Sequence, residues 1–172
     1  MTVSLVRAIL TALCLVSLTA TRAAAGPRGS MEQQREALIG DCIERAAAGR
    51  PWLAKTLWAL RDQEGGSVGV AVRNANGTED LGPLQVNSWW ASRIAAVTGR
   101  RPAQVRWWLQ HDVCFNVDAA RWVFLSALAA TKDYWKAVGV YHSPVACRQR
   151  VYVNSVASHL AARAGRVWTQ NK

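Results

Sequence analysis

The chain has 172 residues, with 21 Lys and Arg against 11 Asp and Glu, for a net charge of +10. That length suits one domain and leaves little for a second. The basic excess fits polyanionic surroundings such as cell-wall polymer or a membrane surface. Arg61, Arg73, Arg93, Arg106, Arg121, Arg148 and Arg150 are spread along the chain, without the tight basic block of a nucleic-acid arm, so no nucleic-acid partner is expected.

The first segment reads as a leader. Arg7 precedes an apolar run from Ala8 to Ala20, and Ala23-Ala24-Ala25 supplies the small residues that signal peptidases accept. The run is 13 residues long, short of the about 20 needed to span a bilayer. We therefore expect a signal peptide over residues 1–25, a mature domain over 26–172, a periplasmic or secreted location, and no stable membrane insertion after cleavage. The mature part keeps 19 basic and 11 acidic side chains, a charge of +8. Cys14 leaves with the leader, so Cys42, Cys114 and Cys147 remain, and an oxidising compartment allows any of three pairings with one thiol left over.

Residues 26–31 read as a flexible start. From Glu32 the pattern is helical, with Leu38, Ile39, Cys42, Ile43 and Ala46 forming an apolar stripe. Gly49-Arg50-Pro51 breaks it, and Pro51 opens a second helix carrying Leu53, Leu57, Trp58 and Leu60. That helix stops at Gly65-Gly66, which leaves Glu64 at its C-terminus, where the helix dipole disfavours a carboxylate. Residues 65–87, with the Asn76-Gly77 turn signal, read as a short irregular β-hairpin or loop. Helices are expected after Ser88 as N-cap, through Trp89 to Val97, then at Pro102–Leu109 and Val117–Thr131. A last one starts with Ser143 as N-cap and Pro144 at its first position, and runs through Val151, Val153, Val156 and Leu160. The fold class expected is mainly α (α+β), a helical domain with one small hairpin insertion.

Residues 64–90 collect the groups that cleavage of a glycosidic bond requires. A carboxylic acid still protonated near neutral pH must protonate the leaving oxygen, and polar and aromatic side chains must hold the sugar rings. Glu64 is the candidate acid. Asn74, Asn76, Asp80, Gln85, Asn87 and Ser88 surround the hairpin, and Trp89 and Trp90 follow as a candidate sugar platform. Trp58, Trp122 and Trp135 fall on apolar helical faces and are expected in the core. His111 and His142 stand apart from any Cys/His cluster with ligand spacing, so no metal and no cofactor are expected.

Glu64-Gly65-Gly66, followed by Arg73-Asn74-Ala75-Asn76-Gly77-Thr78-Glu79-Asp80-Leu81-Gly82-Pro83-Leu84-Gln85-Val86-Asn87-Ser88, resembles the catalytic stretch of lysozyme-fold enzymes. It is most similar to the lytic transglycosylases that accompany type III and type IV secretion and conjugation machines. The likeness continues with Cys42 before the acid, with Cys114-Phe115-Asn116, and with Trp135-Lys136-Ala137-Val138-Gly139-Val140-Tyr141-His142, covering roughly residues 40–155. The resemblance implies a lysozyme-like fold and cleavage of the MurNAc-β-1,4-GlcNAc bond of peptidoglycan glycan strands. It implies Glu64 as the acid, then the base, in forming a 1,6-anhydroMurNAc end, and recruitment by secretion or conjugation apparatus proteins. It also implies Gly82 and Gln85 in the cleft wall, Asn87 on a sugar, Tyr141 with its hydroxyl positioning the catalytic carboxylate, and Asp80 where animal lysozymes keep a second carboxylate, oriented by Asn74. It points to a Cys42–Cys114 disulfide. The sequence departs from the pattern at Gly65, where a Ser is usual, at Pro83-Leu84 in place of an apolar-Met pair, at His142 in place of Asn, and at Cys147, which has no counterpart. Two alternatives stand beside this one: a hydrolytic muramidase on the same fold with Asp80 as second carboxylate, and, motivated by Gly65 and His142, a catalytically weak peptidoglycan-binding assembly factor.

Overall fold

A computed structural model describes residues 27–170, with side chains over 29–165. The expected leader, residues 1–25 with Cys14, lies outside the described residues. In chain order the elements are α1 (Pro27–Ala47), α2 (Pro51–Glu64), β1 (Ala71–Arg73), β2 (Glu79–Leu81), β3 (Val86–Asn87), α3 (Trp90–Thr98), α4 (Pro102–His111), α5 (Val113–Thr131), α6 (Tyr134–His142) and α7 (Ala146–Gln170). The described chain is thus mainly helical, with one three-stranded antiparallel sheet in the order β1-β2-β3.

Local chemistry sets most boundaries. Pro51 and Pro102 occupy first-turn positions of α2 and α4, each after an extended residue, Arg50 and Arg101. Asp112 caps α5 by accepting the Phe115 N–H at 2.9 Å, and Asp133 caps α6 by accepting that of Lys136 at 2.9 Å. Helix α2 ends at Gly65, which takes the left-handed conformation (φ 57°) and donates its N–H to Arg61 O. A serine there is strained, and a Cβ at this position meets nothing within 4 Å. This gives a backbone reason for glycine at position 65.

The core is one cluster built from all helices. Ile43, Leu53, Leu57, Leu60, Leu84, Leu109, Val117, Phe124, Val138 and Val156 are fully buried in it. Helix α5 lies at its centre, packed by α1, α4 and α6, while α7 packs on α2 and α6. By length and apolar composition α5 could cross a bilayer, and its place among three other helices is the alternative burial its apolar surface needs. Cys42 on α1 and Cys114 on α5 are disulfide-bonded, with Cα atoms 5.0 Å apart, and Cys147 is free and exposed.

Several expectations are corrected. Helix α1 begins at Pro27, so 27–31 are helical instead of a flexible start, and Leu38 is 46% exposed, off the core stripe. Helix α5 starts four residues before Val117, because Asp112 caps it there, and α4 continues past Leu109 to His111. Ser88 does not cap α3. Its Oγ accepts the Glu79 N–H and its N–H donates to Glu79 O, tying it to β2. Residues 134–142 form a helix of their own, and Ser143 ends it, so α7 starts at Ala146. Val151 is 73% exposed, and the buried face of α7 runs through Tyr152 and Val156. Trp135 is 43% exposed and does not belong to the core; Trp58 and Trp122 are partly buried against it.

Candidate active site

Glu64 is the last residue of α2, and α7 lies against that final turn. Three consecutive side chains are fastened to it. Asp62 pairs with Arg163 at 2.5 Å, Gln63 Oε1 accepts from the Ser155 hydroxyl, and Glu64 Oε1 accepts from the Tyr152 hydroxyl. The direction in which Glu64 projects is therefore set by two helices.

The loop from β2 to β3 comes close to the chain just after Glu64, because no side chain stands between them. A Cβ on Gly66, two residues after the acid, would collide with Gly82 O and the Gln85 amide. The loop is held from behind by Asn116 on α5. Its amide group donates to Leu81 O and Leu109 O, both at 2.7 Å, and its carbonyl accepts the Leu84 N–H at 2.9 Å, all at zero solvent exposure. Tyr141 on α6 adds a fourth tie, donating to Leu84 O at 2.8 Å. Pro83 is buried in this loop.

In the sheet, Asp80 sits opposite Asn87 across β2 and β3. The Asn87 amide donates to Asp80 Oδ1 at 2.8 Å and to Thr78 Oγ1 at 2.9 Å, while its carbonyl accepts the Trp89 N–H at 3.0 Å. Asn74 closes the hairpin turn through its N–H on Thr78 O and its amide on Thr78 Oγ1. The Gln85 amide donates to Gly82 O at 2.8 Å, with the residue itself in a left-handed conformation (φ 46°).

Burial and neighbouring charges shift the pKa of the groups that meet here. Burial, with help from the Asp80 charge and against the Tyr152 hydrogen bond, lifts the Glu64 carboxyl from 4.5 to about 7. Burial first, then the charges of Glu64 and Asp80, push the Tyr141 phenol well above its ordinary value. Burial and Glu64 do the same for Tyr152, so both phenols remain hydrogen-bond donors. Burial lowers the His142 pKa against the opposing pull of Asp80, with Arg148 lowering it further. Glu64 near neutrality is thus about half protonated, which is where a general acid that must later act as base works best.

Glu64, Asp80 and Tyr141 therefore act on one another electrostatically, as three of the sequence-derived site residues. Others sit nearby in different roles. Asn87, expected on a sugar, spends its amide on Asp80 and Thr78. Asn74, expected to orient Asp80, holds the turn, and it is Asn87 that contacts Asp80. The hydroxyl on the carboxylate belongs to Tyr152, while that of Tyr141 is on the loop. Trp90 packs edge-on against Trp89 and Trp122, at 4.7 and 5.5 Å between centroids, and Trp89 is the exposed one, with Arg93 stacked over it at 3.2 Å. Tyr152 was legible only as part of an i, i+4 series with Val156 and Leu160, and Asn116 only as a lone amide in an otherwise apolar helix.

Among the described residues no three His, Cys, Asp or Glu side chains cluster as metal ligands would. A cavity of about 180 Å³ lies between α3 and α5, lined by Ile94, Val97, Phe115 and Trp122, and Glu64 is not in its wall. No protein-family model matches the chain, and no curated protein matches it either.

Proposed function

We propose that the protein is a lysozyme-like lytic transglycosylase that cleaves the MurNAc-β-1,4-GlcNAc bond of peptidoglycan. The observation that carries this reading is Glu64, a desolvated carboxyl with a pKa of about 7 at a helix end, facing a loop rich in amides beside a second carboxylate. The order of parts, an acid ending a helix and then a three-stranded antiparallel sheet, agrees with the motif series that resembles the family.

In this mechanism Glu64 gives its proton to the glycosidic oxygen as the C1–O bond breaks, and the GlcNAc chain leaves as an alcohol. The positive charge that develops on the MurNAc ring is favoured by the nearby Asp80 carboxylate. The Glu64 carboxylate then takes the proton from the C6 hydroxyl, whose oxygen closes on C1. The product is a 1,6-anhydroMurNAc end and no water is consumed. Tyr152 steadies the carboxylate in the step where it is charged. By the same reading the enzyme works in the periplasm and opens the wall locally for a secretion or conjugation apparatus that recruits it.

The electrostatic contact between Asp80 and Glu64 favours a second reading, in which water replaces the C6 hydroxyl and the enzyme is a muramidase. Incubation of the mature domain with purified sacculi, followed by mass spectrometry of the soluble muropeptides, separates the two. Anhydro ends are the expected result. Reducing ends establish the hydrolase, and binding without soluble products leaves only the assembly-factor alternative.

A further inference from the structure

Tyr152 is 4% exposed, and the imidazole of His142 lies flat on its ring, with centroids 4.5 Å apart and planes 3° from parallel. His142 ends α6, and the turn that follows is fixed. Ser143 is buried, its Oγ accepts the Val145 N–H at 3.2 Å, and its carbonyl accepts the Gln149 amide at 2.8 Å. The consecutive residues Tyr141 and His142 thus brace two parts of the site, one through Leu84 of the loop and the other through the partner of the acid. We propose that His142 is a positioning residue: its ring, stacked on Tyr152, keeps the phenol hydroxyl on the Glu64 carboxyl.

A tyrosine places its hydroxyl at the end of a long lever, so a small swing about its first side-chain torsion carries the oxygen out of hydrogen-bond range. A flat ring laid on one face opposes that swing. Asp80 on β2 and Arg148 on α7 are the charged groups that act on His142, in opposite senses. Burial disfavours the charged form of the imidazole.

The role of Glu64 in catalysis is needed only for the kinetic part of the test. The primary readout is the titration midpoint of the Glu64 carboxyl, followed by carbon NMR of protein labelled at glutamate, with no substrate present. Tyr152→Phe removes a bond that stabilises the carboxylate, so the midpoint rises. His142→Ala raises it in the same direction, and the double variant goes no further than Tyr152→Phe alone, because both changes break one linkage. His142→Phe keeps a flat ring and restores the parent midpoint. With peptidoglycan, His142→Ala lowers kcat several-fold at unchanged KM. The proposal is overturned if the midpoint in His142→Ala stays at the parent value or falls, if the two shifts add in the double variant, or if His142→Phe behaves like His142→Ala. Absence of any wall-cleaving activity would count against the proposed function, and the titration would still decide the part played by His142.

Discussion

Replacing Glu64 by Gln keeps the shape of the side chain and an oxygen for the Tyr152 hydroxyl, and it removes the charge. In the folded protein the Glu64 carboxyl titrates at about 7 against 4.5 unperturbed, a difference equivalent to about 3 kcal/mol. Contact of the partly exposed carboxyl with solvent reduces the effective amount to about 2 kcal/mol. Because the folded pKa is the higher one, the native state holds a proton that the unfolded chain releases between pH 4.5 and 7. Stability is therefore undiminished below pH 4.5 and falls as pH rises through this window. Glu64→Gln escapes the loss. At pH 4 the variant and the parent should melt together, and at pH 8.5 the variant should be the more stable by about 2 kcal/mol, roughly 4–8 °C in Tm for a domain of this size. Thermal unfolding followed by circular dichroism, with the disulfide intact, measures both differences. A Tm difference that is the same at the two pH values, or a parent that is the more stable at pH 8.5, would refute the desolvated-acid argument.

Three further outcomes follow from contacts around the site. Asn116→Ala removes the side-chain partner of the Leu84 N–H and of the Leu81 and Leu109 carbonyls, all at zero exposure, and should cost about 3 kcal/mol in urea unfolding; a change under about 0.5 kcal/mol would mean the loop is held by other contacts. Replacing both Cys42 and Cys114 by Ser opens a loop closed over 72 residues and should lose about 4 kcal/mol in the chain-entropy account, read as a lower Tm. Asp80→Asn removes a charge that raises the Glu64 pKa, so the alkaline limb of the pH–rate profile should move to lower pH; an unmoved limb would separate the two carboxylates.

The elements most legible in the sequence were those written in backbone chemistry. Pro51, Gly65 and Asn76-Gly77 announce a helix start, a helix stop and a turn through restrictions that act within a few residues, and each stands where these signals put it. Glu64 inherits its place from the first two. Side-chain partners were less legible, because they depend on register and helix rotation. Asn87 faces Asp80 only because β2 and β3 pair with those two residues opposite, and nothing in the local sequence decides whether an amide turns to a sugar or to a neighbouring carboxylate. Tyr152 reaches Glu64 across 88 positions of chain, and it was hidden in a stripe that reads as ordinary core. Ser88 has the residue type of a cap, but the strand beside it offered both a donor and an acceptor, and it took those. Trp135 shows the limit of apolar character as a guide, since a tryptophan on a helix can stay 43% exposed.

The claim on which the account turns is that Glu64 carries its proton near neutral pH and delivers it to the substrate. The most direct measurement pairs the NMR titration of the Glu64 carboxyl with the pH dependence of kcat/KM for release of muropeptides from sacculi. The account predicts one midpoint of about 7 in both. A carboxyl that titrates at its ordinary value near 4.5, or an activity profile indifferent to that titration, would contradict it.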